Sequence, residues 1–282
     1  MTTFSLILSL MLSSGMFAPA QPPKRLLKAD PGIQLYSLRE QFSKDVPGTL
    51  AWVKAQGITE VETAGYYGMT AQQFRGELDK AGLKAVSMHV GYDRLKNDIP
   101  GLVAEARAVG ATYVGLAWYP HSGDFTMEMA KQAVAEFNAF GKALKDNGIQ
   151  FFYHNHGYEF QPWEGQTLYD YIVNNTDPSL VALEMDVQWV VHPGQDPAAL
   201  LRKYPSRFKL MHMKDLKKGI PTGNLSGGAG KDANVVMGQG QTDWPAVFKA
   251  ARKSGIEHFL LEDESSIVTE QVPLSLKYLR GY

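Results

Sequence analysis

The sequence predicts an α/β protein whose single domain is a closed (β/α)8 barrel. Short apolar runs of strand length alternate eight times with amphipathic helical segments. Most of the runs are continuously apolar, as expected for strands that are covered on both faces of a parallel sheet. Eight such units within about 250 residues of the 282-residue chain are typical of a closed barrel. An open doubly wound sheet is the alternative, but no GxGxxG motif follows the first predicted strand.

The first half of the barrel is predicted from four strand–helix units. Glycine follows three of the helices, and Asn147-Gly148 follows the fourth. Glycine is expected there because it adopts the left-handed conformation that ends a helix without a steric penalty. The predicted strands are 32–37, 58–63, 83–90 and 112–118, and the helices are 47–56, 70–81, 98–109 and 127–146.

The second half repeats the unit four times. Its predicted strands are 149–155, 181–186, 208–213 and 257–263. Its helices are 167–173, 197–204, 242–255 and 273–279. Thr242-Asp243-Trp244-Pro245 combines a capping residue with proline in the first turn, which is typical of a helix start. A glycine-rich loop over residues 219–241 is expected to border the functional site, either as a mobile lid or as a subunit contact.

The N-terminal residues differ from the barrel. An apolar run, Phe4–Leu12, is followed by Ala18-Pro19-Ala20, which resembles the core and cleavage site of a signal peptide. We therefore predict a signal peptide over residues 1–20, a linker over 21–30, the barrel over 31–282, and export to the periplasm. No basic residue precedes the apolar run, so a disordered or wrongly assigned extension is the alternative. The run is too short to span a bilayer.

Composition limits the partners and cofactors. The formal net charge is −1, so nothing favours binding to a nucleic-acid backbone. Cysteine is absent, which excludes thiolate chemistry and cysteine-ligated zinc. Any metal must be held by histidine and carboxylate, a donor set that suits Mn, Mg, Co, Zn or Fe(II). We expect a small carbohydrate as substrate and no membrane contact once the signal peptide is cleaved. The sequence is also compatible with a homo-oligomer.

Polar residues cluster where the predicted strands end, which is where barrel enzymes place their active sites. The run Phe208–Met213 ends in His212 and Lys214, and His212 is the first candidate metal ligand. Residues two apart on a strand share a face, so paired positions on strands five, six and eight point the same way. Buried charges need a partner or a metal. These paired positions are His154 and His156, Glu184 and Asp186, and Glu262 and Glu264.

Each of these residues also has a purely structural interpretation. A lone histidine at a strand end is commonly a hydrogen-bonded core residue. Glu184 could instead pair with Lys209 or Arg207, and the aromatic residues could be core packing. Candidates on four consecutive strands favour the metal-site hypothesis over these alternatives.

The chain resembles the xylose isomerase-like TIM-barrel family, the sugar phosphate isomerase/epimerase group. The resemblance covers residues 32–279. Its motifs are GIQLYSLRE, VETAGYYG, FYHNHGYEF, LEMDVQWVVHPGQDP, RFKLMHMKD, GQGQTDW and FLLEDE. It implies a divalent metal held by Asp186, His212 and Glu262. His154 stands at the fourth ligand position, where the family usually has glutamate.

The resemblance implies a metal-dependent sugar isomerase or epimerase that acts through an enediolate. Glu262 is then the expected base. His156 or His154 is expected to exchange the proton on the opposite face of the substrate, and Lys214 is expected to donate a hydrogen bond to the oxyanion. The expected substrate contacts are Arg39, Glu62 and His89 to hydroxyl groups, with Trp118 and Trp189 stacking on the sugar ring.

The departure at His154 weakens a mechanism that needs two metal-bound glutamates. A 3-keto-glycoside lyase or hydratase of the same barrel family is therefore the second prediction. A non-catalytic sugar-binding barrel is the third. The apurinic endonuclease branch is disfavoured by the balanced charge.

Overall fold

The computed structural model describes residue 27 and residues 30–281. The predicted signal peptide lies outside the described residues, and so does most of the predicted linker. No helix in the described part of the chain is long and apolar enough to cross a bilayer.

Eight parallel strands close into a barrel in chain order, and helices connect them, which confirms the predicted fold. The barrel closes where Gly32 and Ile33 of the first strand pair with Leu260 and Leu261 of the last. The strands are Gly32–Gln34 (β1), Glu60–Thr63 (β2), Lys84–Val90 (β3), Tyr113–Leu116 (β4), Gln150–His154 (β5), Val181–Asp186 (β6), Phe208–Met213 (β7) and His258–Leu261 (β8).

The helices agree with the predicted ones to within a few residues, except at three short helices and at the last. The α-helices are Arg39–Phe42, Val46–Ala55, Ala71–Ala81, Tyr92–Asn97, Ile99–Val109, Met127–Lys145, Leu168–Asn175, Gln188–Val191, Pro197–Lys203, Trp244–Ser254 and Val268–Leu279. The last helix begins at Val268, not at residue 273, so Pro273 lies inside it. Proline costs this helix one backbone hydrogen bond, while Val268 and Val272 ahead of it are buried in the core.

Local signals in the sequence explain where the helices begin and end. Thr70 caps its helix in a capping box with Gln73, and Asp243 accepts from the amide of Ala246 at the start of another. Gly82 and Gly110 end two helices with φ of 66° and 87°, in the left-handed region that favours glycine.

The apolar core has two parts, one between strands and helices and one inside the barrel. Val86, Phe152, Ala182, Leu210 and Leu260 form the inner layer. A Cβ at Gly115 would lie 2.1 Å from the ring of Phe152, so the glycine makes room for that ring inside the barrel. This packed layer closes the interior below, and the polar strand ends lie on its other side.

Candidate functional site

A cavity of about 580 Å³ opens at the carboxyl ends of the strands. This size lies within the range that binds small organic ligands. Eight residues predicted for the site line it: Arg39, His89, Trp118, His154, His156, Trp189, Lys214 and Glu262. Three more, Glu62, Asp186 and His212, are fully buried and are not part of its lining.

His212 lies at the centre of the polar cluster, with a carboxylate on each side of its ring. Its Nε2 is 2.7 Å from Glu62 Oε1, and its Nδ1 is 3.2 Å from Glu262 Oε2. Burial opposes the charged form of this ring, but Glu184, Glu262 and Glu62 raise the pKa of His212 well above its ordinary value. The imidazole therefore lies where positive charge is strongly favoured.

Strand β6 contributes two buried carboxylates with different surroundings. Glu184 Oε2 is 2.8 Å from His89 Nε2 and 3.0 Å from His154 Nδ1. Burial opposes ionisation of Glu184, yet the neighbouring histidines hold its pKa well below the usual range. Asp186 Oδ1 accepts from the amide of Trp189, and burial raises the pKa of Asp186 to about 7.

The predicted partners of Glu184 are corrected by these contacts. Lys209 instead pairs with Glu257 at 2.8 Å, and Arg207 donates to the carbonyl of Val173. Glu184 is thus part of the histidine cluster, where both its oxygens face imidazole nitrogens.

The two histidines at the end of β5 are held as neutral rings. Burial lowers the pKa of His154 to about 4 and lowers the pKa of His156 well below its ordinary value. The ring of His156 stacks on Trp189 with centroids 4.8 Å apart and meets Trp118 edge-on at 4.8 Å. Neither ring therefore titrates near neutrality, in contrast to what the histidine type alone suggests.

Lys214 brings a buried ammonium group to the end of β7. Its Nζ is 3.1 Å from Glu262 Oε2 and 3.8 Å from Asp186 Oδ2, and it also donates to Glu264. Burial opposes its charge, but Glu262, Glu264 and Asp186 raise the pKa of Lys214 above its ordinary value. Burial likewise opposes ionisation of Glu262, whereas Lys214 and His212 hold the pKa of Glu262 well below the usual range.

The donor set fits a divalent metal. Four buried carboxylates come together here, those of Glu62, Glu184, Asp186 and Glu262. Among the lysines and arginines of the described residues, Lys214 is the one that forms ion pairs with this group. In the described part of the chain, Asp186 Oδ2, Glu184 Oε1 and His212 Nδ1 are buried without a hydrogen-bond partner. Buried carboxylates and unpartnered donor atoms are what a bound cation would satisfy.

The four predicted ligands fall into two groups that share His212. One group is Asp186, His212 and Glu262; the other is His89, His154, Glu184 and His212. Within each group the donor atoms lie within 4.8 Å of one another. Glu184 and His89 thus appear only in the second group, His89 in addition to its predicted role in substrate binding.

The predicted substrate contacts lie around the mouth and below the floor of the cavity. Trp118 is 38% exposed and stacks on His121 with centroids 5.1 Å apart. Arg39 lies over the ring of Tyr36, 4.5 Å from its centroid. Trp189 is buried against His156, so only part of its surface reaches the cavity. Glu62 lies below the floor, bonded to protein groups.

The glycine-rich loop is part of the cavity wall. Gly227–Gly230 line the cavity opposite the strand ends. Asp215 anchors the loop by accepting from the amides of Gly238 and Gly240 at 2.9 and 3.0 Å. Asn234 donates to Gln188 and accepts from the amide of Glu264. The sequence placed the loop beside the site but not these anchors, because contacts between side chains and distant backbone groups give no periodic signal.

Comparisons with known proteins agree with this architecture. The family described as xylose isomerase-like TIM barrel matches residues 50–282. An inosose dehydratase from Clostridium tetani is 30% identical over 157 residues, 53% of this chain and 52% of that protein. An inosose dehydratase from Clostridium perfringens is 33% identical over 131 residues, 44% and 43% of the two chains. The aligned part of the chain thus spans about half the length of these curated relatives.

Solved structures match over nearly the whole barrel. A sugar phosphate isomerase/epimerase from Parabacteroides distasonis has a TM-score of 0.74 and 27% sequence identity, and covers 88% of this chain and 96% of its own. A second structure with the same description and source has a TM-score of 0.72 and 26% identity, and covers 90% and 96%.

Proposed function

The chain belongs to the xylose isomerase-like TIM barrel family, and we propose that it is a divalent-metal-dependent lyase that acts on a cyclic polyhydroxy ketone. One observation carries this proposal: a carboxylate base, Glu262, and an ammonium donor, Lys214, lie 3.1 Å apart on one wall of the cavity. Elimination needs one group to take a proton and another to give one. The inosose dehydratases among the curated relatives support this class of reaction.

The opposite wall does not repeat this chemistry. Proton exchange between two glutamates would need a second carboxylate on this wall. The end of β5 and the residues after it instead provide the imidazoles of His154 and His156. Burial keeps both rings neutral. This asymmetry favours elimination on one face over epimerisation between two faces.

Asp186, His212 and Glu262 would hold the metal, with His154 as a fourth ligand from β5. When bound, the metal would act as a Lewis acid that polarises the substrate carbonyl. This would make the proton on the adjacent carbon more acidic. The remaining steps depend on residues of this chain.

Glu262 takes the proton from the carbon next to the carbonyl. Its Oε2 faces Lys214 and His212, so we assign proton removal to its other carboxylate oxygen. The released electron pair forms a carbon–carbon double bond as the bond between the neighbouring carbon and its oxygen substituent breaks. Lys214 gives a proton to the departing oxygen. Water or an alcohol leaves, and proton return from Glu262 to Lys214 restores both groups, so no redox partner is needed.

Isomerisation or epimerisation is the second candidate. The structures from Parabacteroides distasonis, which match over most of the barrel, carry that description. The same proton removal by Glu262 would serve this reaction if the proton were returned at a neighbouring position before any group departed. The two candidates therefore differ in the fate of the substituent and not in the first step.

Incubation in D₂O with Mn²⁺ separates these activities. The probes are an inosose and a 3-keto-glycoside, followed by ¹H NMR and mass spectrometry. A lyase converts the first to a product that has lost the elements of water, or releases the aglycone of the second. Deuterium uptake into a substrate that is otherwise intact, or binding of either probe without any exchange, would overturn the lyase proposal in favour of an isomerase or a sugar-binding barrel.

A further inference from the structure

Two carboxylates, Glu62 and Glu184, lie beneath the cavity and are completely buried. Neither lines the cavity, so neither can touch a substrate there. We call them the inner carboxylates. Both face histidines of the candidate metal site, and what they do to those histidines can be read from their hydrogen bonds.

Glu62 determines which nitrogen of His212 carries a proton. It accepts from Gln34 Nε2 and Ser87 Oγ, and its Oε1 lies 2.7 Å from His212 Nε2. Both oxygens of Glu62 already accept hydrogen bonds from these two donors, so the carboxylate is an acceptor here and the proton of its hydrogen bond with His212 is on Nε2. A metal ligand must be a neutral imidazole, and in that neutral ring the lone pair is on Nδ1. That atom faces Glu262 at 3.2 Å and has no hydrogen-bond partner among the described residues.

Glu184 does the same for the histidine at the end of β5. Its Oε2 lies 3.0 Å from His154 Nδ1 and 2.8 Å from His89 Nε2. The proton of His154 is therefore on Nδ1, and its lone pair is on Nε2. Because His154 lines the cavity, a lone pair on Nε2 is available to a ligand on the cavity side.

We propose that the inner carboxylates are positioning residues, which fix His212 as an Nδ1 ligand and His154 as an Nε2 ligand of the metal. This inference rests on the metal site of the proposed function. Outer carboxylates that hold the second ring nitrogen of a ligating histidine set its tautomer and ring orientation, and they increase its basicity.

The same side chains allow a second arrangement, with the metal deeper in the barrel between His89, His154, Glu184 and His212. Glu184 would itself be a ligand there, and the nitrogens nearest to it are His154 Nδ1 and His212 Nε2, which face the inner carboxylates. The nitrogens that face the inner carboxylates are already engaged in hydrogen bonds, whereas His212 Nδ1 has no hydrogen-bond partner among the described residues. The position nearer the cavity is therefore favoured.

The decisive measurement is the tautomer of each histidine in the Zn²⁺-loaded full chain. Histidine labelled with ¹⁵N and long-range ¹H–¹⁵N correlation distinguish a protonated, a free and a metal-bound ring nitrogen. The expected result is a proton on Nε2 of His212 with metal at Nδ1, and a proton on Nδ1 of His154. Metal at Nε2 of His212 or at Nδ1 of His154 would overturn the inference. No substitution is needed, so misfolding of a variant leaves this test unaffected.

Variants give an independent readout through calorimetric titration with Zn²⁺ alone. Glu62→Gln and Glu184→Gln should each weaken affinity by roughly 10- to 100-fold while binding stays at one metal per chain. Glu60→Gln is the matched control, because Glu60 lies on the same strand and accepts from His258 Nδ1 at 2.9 Å at the other end of the barrel. It should leave Zn²⁺ affinity unchanged.

Equal losses in all three variants, or unchanged affinity in both inner variants, would contradict the inference. Neither readout uses a substrate. A failure of the lyase proposal therefore leaves the tautomer assignment standing, and a failure of the tautomer assignment leaves the lyase test untouched.

Discussion

Lys214 Nζ lies 3.1 Å from Glu262 Oε2, and the same ammonium is 3.8 Å from Asp186 Oδ2. A lysine therefore lies beside two of the carboxylates assigned to the metal. In this position it can donate a proton to a departing oxygen, and it also competes with the metal for negative charge. Its two effects can be separated, because removing the ammonium acts on catalysis and on metal affinity in opposite directions.

Lys214→Met should reduce kcat by roughly 10²- to 10⁴-fold, the usual contribution of a positioned acid. Affinity for Mn²⁺ should be unchanged or higher, because the carboxylates of Asp186 and Glu262 lose a competing cation. Steady-state kinetics and metal titration of the same preparation check both effects. A parallel loss of metal binding would mean that Lys214 organises the site and is not its proton donor.

The sequence indicated the fold well because its signals are local. Glycine after the helices of the first half and apolar runs of strand length mark the repeating units, and these marks survive in the structure. The short helix Tyr92–Asn97 was missed, since it lies within the connection after β3 and is too short for a periodic pattern. The last helix begins at Val268, five residues before the predicted start at Pro273, because buried residues ahead of the proline continue the helix.

The candidate site was predictable in its composition but not in its contacts. Alternation along β5, β6 and β8 identifies which side chains share a face, and this suffices to group His154, Asp186 and Glu262 near His212. It cannot show that Gln34 and Ser87 satisfy Glu62, or which nitrogen of His212 faces Glu262. These depend on rotamers and on neighbours from distant strands.

His212→Ala should abolish both metal content and activity, because His212 belongs to both groups of candidate ligands. Elemental analysis after dialysis against Mn²⁺ measures the first, and the NMR assay measures the second. His258→Ala is the control: His258 forms the same kind of pair with a carboxylate, Glu60, at the other end of the barrel. Full activity in a metal-free His212→Ala protein would exclude a metal-dependent mechanism.

The predicted signal peptide leads to a test of export. Expression of the full chain in a Gram-negative host should give a periplasmic protein whose first residue is Gln21, because cleavage is expected after Ala18-Pro19-Ala20. N-terminal sequencing identifies the cleavage point. Ala20→Phe should block processing and Ala20→Gly should permit it, since the site requires a small residue. An uncleaved chain that stays in the cytoplasm would contradict this proposal.

Glu159 should make stability depend on pH. Burial raises the pKa of Glu159 to about 7, while Tyr153 and the amide of His156 donate to its Oε1 at 3.0 and 2.9 Å. The folded-state pKa lies above the ordinary value of 4.5, so the contribution of Glu159 to stability is fully present below pH 4.5. It is lost as pH rises to about 7. The loss is on the order of 2–3 kcal/mol.

Glu159→Gln tests this directly, because the amide keeps an accepting oxygen and cannot ionise. The two proteins should have similar free energies of unfolding at pH 5, and the variant should be the more stable one at pH 8. Urea titration of both metal-saturated proteins at the two pH values gives the difference, in which other titrating groups cancel. A constant difference between pH 5 and pH 8 would show that Glu159 does not titrate in this range.

Gly227 should control access to the cavity through its contact with Trp118. Its φ is 69°, and a Cβ there would lie 3.0 Å from atoms of both Trp118 and Tyr158. Gly227→Ala therefore pushes the loop away from the aromatic wall that we expect to contact the substrate. We predict a rise in KM of roughly 10-fold, equivalent to about 1.4 kcal/mol, with kcat changed much less.

Gly223→Ala separates this contact from backbone strain. Gly223 lies in the same loop with φ of 92°, but a Cβ there meets nothing within 4 Å. Both variants carry the strain of alanine at positive φ, and only the change at Gly227 presses on Trp118. Steady-state kinetics should therefore show a raised KM for Gly227→Ala alone. If both variants raise KM equally, the loop acts through its backbone conformation, and its contact with Trp118 does not determine how the substrate binds.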